Sequence, residues 1–243
     1  MLTEDKAITL GHPSYVWRFG QDRRLNLVRR YVPLEGKAIL DIGCGLGAYM
    51  TKFRQFSERV HGIEIERERA VEGGRRGVPH IAIARGENLP YKDGVFDIVF
   101  LHEVLEHVQD DAQTVREALR VLRPGGHVVI FVPNRLYFFE THGFYLGKKY
   151  IFRLLPLVNW LPDVIRNRLV PHARAYLARD LRRLFQGQPA RVVVHTYVYP
   201  GYDNIVARRP ILGNLLRRTT YFAERTPLKV FGLSHFLVVE KVG

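Results

Sequence analysis

The sequence predicts an α/β protein organised around a parallel sheet, and three observations carry that expectation. Residues 37–135 alternate short apolar runs with helix-like stretches, the pattern of stacked βαβ units. Several of those runs are continuously apolar, as strands covered on both faces must be. The chain has 243 residues, 47% of them hydrophobic and 25% charged, with 21 Gly and 13 Pro. Such a composition excludes collagen-like repeats, low complexity and wholesale disorder, and leaves length for one or two domains with a sizeable core.

Taken in chain order, Gln21–Val32 reads as an amphipathic helix with Leu25, Val28 and Val32 on one side. Strands are expected at Ala38–Ile42, Val60–Ile65, His80–Ala84, Phe96–Leu101 and His127–Val132. Helices are expected between them at Tyr49–Phe56, Arg67–Arg76 and Asp111–Leu122. In the last of these, Ala112, Val115, Ala118, Leu119 and Leu122 recur at three and four residues and give one buried face. Asp110-Asp111 suits its N-cap, and Pro124-Gly125-Gly126 stops it and turns the chain into the next strand. Residues 136–175 are rich in aromatic, Pro and basic residues and follow no clean period. Helical pattern returns at Ala178–Phe185, followed by β-like Arg191–Tyr199 and a closing strand at Ser234–Lys241.

A single cysteine, Cys44, excludes a disulfide framework and a Cys-based zinc cluster, and the Asp, Glu and His spacings offer no convincing metal site. The first ten residues lack the apolar run of a secretory signal, and no stretch of 18 apolar residues occurs. The expectation is a soluble protein of a reducing, cytoplasmic compartment.

The run Ile39-Leu40-Asp41-Ile42-Gly43-Cys44-Gly45-Leu46-Gly47 lies where the first strand meets the first helix of the core. Glycines at 43, 45 and 47 permit a tight turn and let a ligand approach bare backbone. The same glycines also fit a dinucleotide fingerprint, but Asp41 would set a carboxylate against a pyrophosphate, whereas a cationic amine would welcome it. Glu64, 23 residues after Asp41 at the end of the second strand, is placed to accept both hydroxyls of a ribose. Adenosine with a cationic amino-acid tail describes S-adenosylmethionine.

Four blocks in order extend the motif: residues 41–47, Gly62-Ile63-Glu64, Gly86-Glu87-Asn88-Leu89-Pro90 with Phe96-Asp97-Ile98-Val99, and Leu122-Arg123-Pro124-Gly125-Gly126. Glu103-Val104-Leu105-Glu106-His107-Val108 falls between the last two. Over residues 35–135 the chain resembles class I S-adenosylmethionine-dependent methyltransferases, in the branch that includes the ubiquinone and menaquinone pathway enzymes. The resemblance implies a Rossmann-like sheet of seven strands, mostly parallel with the last antiparallel, and a substrate lid inserted after strand five. It implies an N-terminal helical cover at 1–35, a cofactor-binding core at 36–135, the lid at 136–176, and a helix and strands at 177–243 that complete the same domain. It implies cofactor contacts from Asp41, Gly43, Gly45, Gly47, Glu64, Ile65, Gly86, Glu87 and Leu101, with Tyr15 and Arg18 of the N-terminal segment as a cover. Tyr15 and Trp17 have an equal claim to packing the first helix on the sheet. One departure is Arg85, where such enzymes commonly carry an Asp that meets the adenine amino group; backbone near Gly86 and Glu87, or stacking by Arg85, is left to hold the ring.

Methyl transfer from a sulfonium needs alignment and exclusion of water more than acid–base chemistry, and a base helps only a weakly acidic acceptor. Ligands of open α/β sheets bind beyond the carboxyl ends of the strands, which directs attention to His102 after strand four and to Glu140 and His142 after strand five. These three are the catalytic candidates, each weighed against a structural role. Glu106 and His107, adjacent in sequence, read as loop-fixing groups.

Charge divides the chain unevenly. Residues 1–140 hold 20 basic and 19 acidic residues, residues 141–243 hold 17 and 5. The basic part carries two segments, Tyr137–Tyr176 and Ile211–Lys229, that mix aromatic and aliphatic side chains with Lys and Arg. The reading preferred is a small-molecule acceptor, lipid-like or anionic among the options, with peripheral contact at an anionic membrane. An RNA methyltransferase using the basic face is the alternative, and an inactive cofactor-binding adaptor, hinted at by Arg85, the second.

Overall fold

The computed structural model describes residues 18–243. Its centre is a seven-stranded sheet, built from β1 (Ile39–Ile42), β2 (Val60–Glu64), β3 (Ile81–Ile83), β4 (Phe96–His102), β5 (Leu122–Pro133), β10 (Ala190–Val198) and β11 (Ser234–Lys241). The order across it is β10-β11-β5-β4-β1-β2-β3, mostly parallel, with antiparallel pairing where the last strands join. The expected sheet is therefore present, and β11 enters beside β5 rather than at the rim.

Contact density divides the chain into two compact units. One comprises residues 28–132, 178–195 and 236–243. Its core is made by the strands that read as continuous apolar runs. Ile39, Leu40 and Ile42 of β1, Ile98 to Leu101 of β4 and Val128 to Val132 of β5 are all buried. Each such side chain contributes about 1.5–3 kcal/mol relative to exposure. Helices α2 (Ala48–Phe53), α3 (Arg67–Arg75), α4 (Asp111–Val121) and α6 (Ala178–Leu184) belong to the same unit. At the start of α4 the Asp110 carboxylate accepts the Gln113 N–H at 2.8 Å, the cap expected from sequence. The helix ends one residue before Leu122, which is extended and already paired with Phe96. Between that pair and Ile98↔His127 the register shifts, so Pro124-Gly125-Gly126 forms an irregularity within β5 rather than a separate turn.

The other unit comprises residues 18–27, 133–177 and 196–235. It holds α1 (Arg18–Arg29) up to residue 27, α5 (Asp163–Leu169), α7 (Asp203–Arg208) and α8 (Pro210–Ala223). The stretch without a clean period is explained by two short antiparallel pairs. These are β6 (Phe139–Glu140) with β9 (Leu155–Pro156), and β7 (Phe144–Leu146) with β8 (Lys149–Ile151). Gly147, at φ +62°, makes the turn between β7 and β8. Val158, Val170 and Ala173 form a small core there, with Phe144, Leu155 and Leu169 against it. Asn134 ties this unit together by donating to the carbonyls of Val230 and Gly232, both at 2.7 Å.

Candidate functional site

The glycine loop leaves β1 and is stitched to the end of β2. The N–H groups of Gly43 and Cys44 both donate to the Ile63 carbonyl, at 2.8 and 2.9 Å. Parallel pairing sets Asp41 beside Gly62 and Ile42 beside Ile63, so the carboxyl ends of β1 and β2 lie next to each other. Glu64 then closes the arrangement. One of its oxygens accepts the Gly45 N–H at 2.8 Å and the other accepts the Glu66 N–H at 2.9 Å. The carboxylate read from sequence as a ribose acceptor thus also fixes the loop, with further lone pairs remaining on both oxygens.

Two glycines have distinct reasons. Gly43 has φ +69°, and a Cβ there would meet Val104 at 2.4 Å, so this position is closed by packing. Gly45 has φ +56° with nothing within 4 Å of where a Cβ would stand. Its backbone therefore borders open space, as a loop that takes a ligand requires. Gly47, at φ +83°, caps α2.

Electrostatics separate the two possible kinds of ligand. Asp41 is buried, and burial, reinforced by the negative charge of Glu64, pushes its carboxyl well above the usual carboxylate range. A cation beside this pair would relieve the penalty, while a pyrophosphate would deepen it. The donor set fits a ligand with a cationic amine and a ribose, and disfavours a dinucleotide. Beside Asp41, burial also pushes the Cys44 thiol up, which leaves it without nucleophilic character. Asp41→Asn should raise the melting temperature of the ligand-free protein by a few degrees near neutral pH, since about 1 kcal/mol moves a chain of this size by roughly 2–4 °C. The sign follows from the raised pKa: ionising Asp41 is a cost that appears as pH rises, so the gain should fade as pH falls and the parent carboxyl takes up its proton. The same variant should bind the cationic ligand about 10- to 100-fold more weakly. Paired melting curves across pH and calorimetry check both.

The segment expected from sequence to meet the adenine follows β3. Glu117 of α4 accepts the Leu89 N–H at 2.7 Å and is held by Arg120 at 2.6 Å. Arg120 also donates to the carbonyls of Leu89 and Tyr91. Glu87 accepts the Gln109 N–H at 2.8 Å, so its carboxylate brackets the approach to α4. Gly86 is buried against Thr114 and Ile42. Arg85 is exposed and donates to the Gln109 side chain at 3.2 Å. Ile65 and Ile83, both more than half exposed, flank Glu64 at the ends of β2 and β3 and present apolar surface suited to a flat ring. Ile83 was not among the residues singled out from sequence.

The remaining expected residues fall into three groups. Leu101 is wholly buried between Ile42 and Ile130, so its side chain is core and only its backbone is available. His102 lies at the end of β4 with its ring against Tyr49 at 4.6 Å, Phe131 at 5.4 Å and Phe100 at 5.8 Å. Immediately after it Glu103 is held at φ +55°, a conformation uncommon outside glycine, by a bond from its N–H to Phe131. Tyr15 and Trp17 lie outside the described residues; Arg18 opens α1, its side chain likewise outside them.

Glu140, in the other unit and beside His142, receives a correction as a proton acceptor. Glu140 is buried, pairs with the buried Arg166 at 3.1 Å, and accepts both the ring Nδ1 (2.9 Å) and the backbone N–H of His142. Burial opposes its ionisation, yet hydrogen bonds from His142 and the Arg166 charge outweigh burial and hold its pKa at about 2. A carboxylate so fixed is a poor proton acceptor near neutrality. Its work is to hold Arg166, which in turn donates to the Ala173 carbonyl at 2.6 Å.

Residues 40–130 match the family described as "Methyltransferase domain". The matched span includes the glycine loop and the strands β2, β3 and β4. A "Ubiquinone biosynthesis O-methyltransferase" of Aromatoleum aromaticum is 38% identical over 144 residues, which span 55% of this chain and 59% of that relative. Solved structures of S-adenosylmethionine-dependent methyltransferases share this fold. A crystal structure of one from Mesorhizobium loti superposes with a TM-score of 0.58 at 18% identity, covering 88% of this chain and 96% of that one. The [4+2]-cyclase SpnF shares the fold too, with a TM-score of 0.61 at 18% identity over 93% of this chain and 83% of its own. Since a cyclase uses the same scaffold, the fold alone does not fix the reaction.

Proposed function

We propose that this chain binds S-adenosylmethionine at the glycine loop and catalyses methyl transfer to an oxygen of a small-molecule acceptor. The observation that carries the reading is the buried Asp41 beside Glu64 on adjacent strand ends, bordering the open backbone of Gly45. Two neighbouring carboxylates with little solvent are costly unless a cation joins them. When bound, the cofactor supplies a methyl group on a positively charged sulfur, already activated for displacement. Asp41 would take the amine, Glu64 the ribose hydroxyls while it keeps its hold on Gly45 and Glu66, and Ile65 and Ile83 would cover the adenine.

The oxygen acceptor rests on the O-methyltransferase relative, and an oxygen nucleophile gains from a base. His102 is the group best placed to serve, at the carboxyl end of β4 and held by three aromatic rings. His102→Gln should lower turnover about 10²- to 10⁴-fold, the usual contribution of a general base, with cofactor affinity unchanged. Its test is a labelled-methyl assay on extracted lipids and small metabolites. Label in an ether-linked methyl, lost in the His102 variant, supports the proposal. Absence of label from every fraction, with cofactor bound, would return the chain to a binding role, and label in RNA would overturn the choice of acceptor.

A further inference from the structure

Helix α8 presents an apolar stripe to solvent. Ile211, Leu215 and Phe222 are 88%, 56% and 68% exposed. Spacings of four and eleven residues put them on one line of an α-helix, and Leu212, also exposed, widens the line. The opposite face is the one that packs. Gly213 lies so close to Val206 of α7 that a Cβ would meet it at 2.6 Å, and Arg217 reaches back to Asp203 at 3.0 Å. The helix therefore has its structural partner on one side, and a surface more apolar than stability requires on the other.

Charge around the stripe has one sign. Residues 203–229 contain two acids, Asp203 and Glu224, and both are taken: Asp203 by Arg217, Glu224 by Arg23. Arg208, Arg209, Arg218 and Arg225 are exposed, and none has a carboxylate partner among the described residues. Arg218 falls within the stripe itself, where its aliphatic stem can lie along apolar surface while the guanidinium reaches outward.

We propose that the exposed face of α8 is a docking surface for an anionic lipid membrane, on which the helix lies in the interfacial plane. The helix is about 21 Å long at 1.5 Å per residue and the stripe takes about 17 Å of it, enough to seat along the boundary between headgroups and acyl chains. Among the described residues no helix is long and apolar enough to cross a membrane, so contact through this face would be peripheral. Exposed arginines at its edges match the charge of anionic headgroups. The stripe favours lipid over single-stranded nucleic acid because it is chiefly aliphatic, whereas nucleic-acid grooves rely on aromatic rings for stacking. The inference concerns a face of the chain that the methyl-transfer reading does not use, and its readout needs no cofactor.

Co-sedimentation of the full chain with vesicles tests it, using equal phosphatidylglycerol and phosphatidylcholine against phosphatidylcholine alone. The parent should bind the anionic vesicles and release them at high salt. Arg208→Gln/Arg209→Gln/Arg218→Gln should weaken binding about 100-fold, at roughly fivefold per arginine near the surface. Ile211→Ser/Leu215→Ser/Phe222→Ser should weaken it at least about tenfold at unchanged charge. All six positions are exposed, and thermal melting of each variant shows whether the fold is retained. Equal binding to both vesicle types, or variants that bind as the parent does, would overturn the proposal. So would self-association of the parent abolished by the serine variant, or a polyuridine affinity lost in the arginine variant without a vesicle effect.

Discussion

Glu64→Gln should remove measurable cofactor binding while the sheet stays folded. The substitution acts twice. It takes the charge from an acceptor expected to meet both ribose hydroxyls, and it turns an amide NH₂ toward either Gly45 or Glu66, whose N–H groups now donate to the two carboxylate oxygens. Each charge-assisted bond lost is worth about 1.5–3 kcal/mol, so two or more together amount to at least about 10²-fold in affinity. Calorimetric titration with the demethylated cofactor measures it, and the melting temperature of the ligand-free variant reports the loop's share separately. A loss below tenfold would show that Glu64 serves the loop alone.

Glu140→Gln should be the most destabilising single change in its unit. Arg166 is 2% exposed in its side chain and Glu140 likewise, so removing the acid strands a guanidinium with little solvent. Breaking one side of such a pair typically costs about 3–5 kcal/mol. Replacing both, as Glu140→Leu/Arg166→Met, should recover most of the loss, because an apolar pair of similar volume carries no desolvation cost. The pH dependence has a definite sign. With its folded pKa lowered to about 2 from the ordinary 4.5, Glu140 stabilises the native state above pH 4.5, and that contribution is lost as pH falls from there toward 2. Denaturant melts between pH 7 and 2 should show this loss in the parent and its absence in the double variant. Cofactor affinity should not follow it, since Asp41, Gly45, Glu64, Ile65 and Ile83 all lie in the other unit.

The fold and the glycine loop were legible in the sequence for the same reason: both are local. A strand buried on two faces is apolar throughout, as Val128 to Val132 are, and a βα turn that must admit a ligand advertises its glycines. The Asp110 cap was equally readable, since donor and acceptor are three residues apart. What escaped depends on partners far along the chain. Glu140 meets Arg166 across 26 residues of segment without a clean period, and nothing local distinguishes a buried arginine from the many exposed ones around it. Leu101 reads as a strand-end residue near the ligand, yet it sits between β1 and β5 in the sheet with its side chain wholly buried. The loop-holding role of Glu64 is invisible because its partner at Gly45 is a backbone N–H, which every residue but proline possesses. Ile83 carried no motif; only its exposure beside Glu64 marks it.

The central claim is that the buried Asp41 and Glu64 pair selects a cationic adenosine ligand rather than a dinucleotide. Isothermal titration of the full chain with S-adenosylmethionine, its demethylated product and NAD, repeated on Asp41→Asn, tests it most directly. The account predicts one site for each of the first two ligands, no detectable heat with NAD, and a loss of about 10- to 100-fold on removing the Asp41 charge. Binding of NAD in preference to S-adenosylmethionine, or affinities indifferent to Asp41, would contradict it.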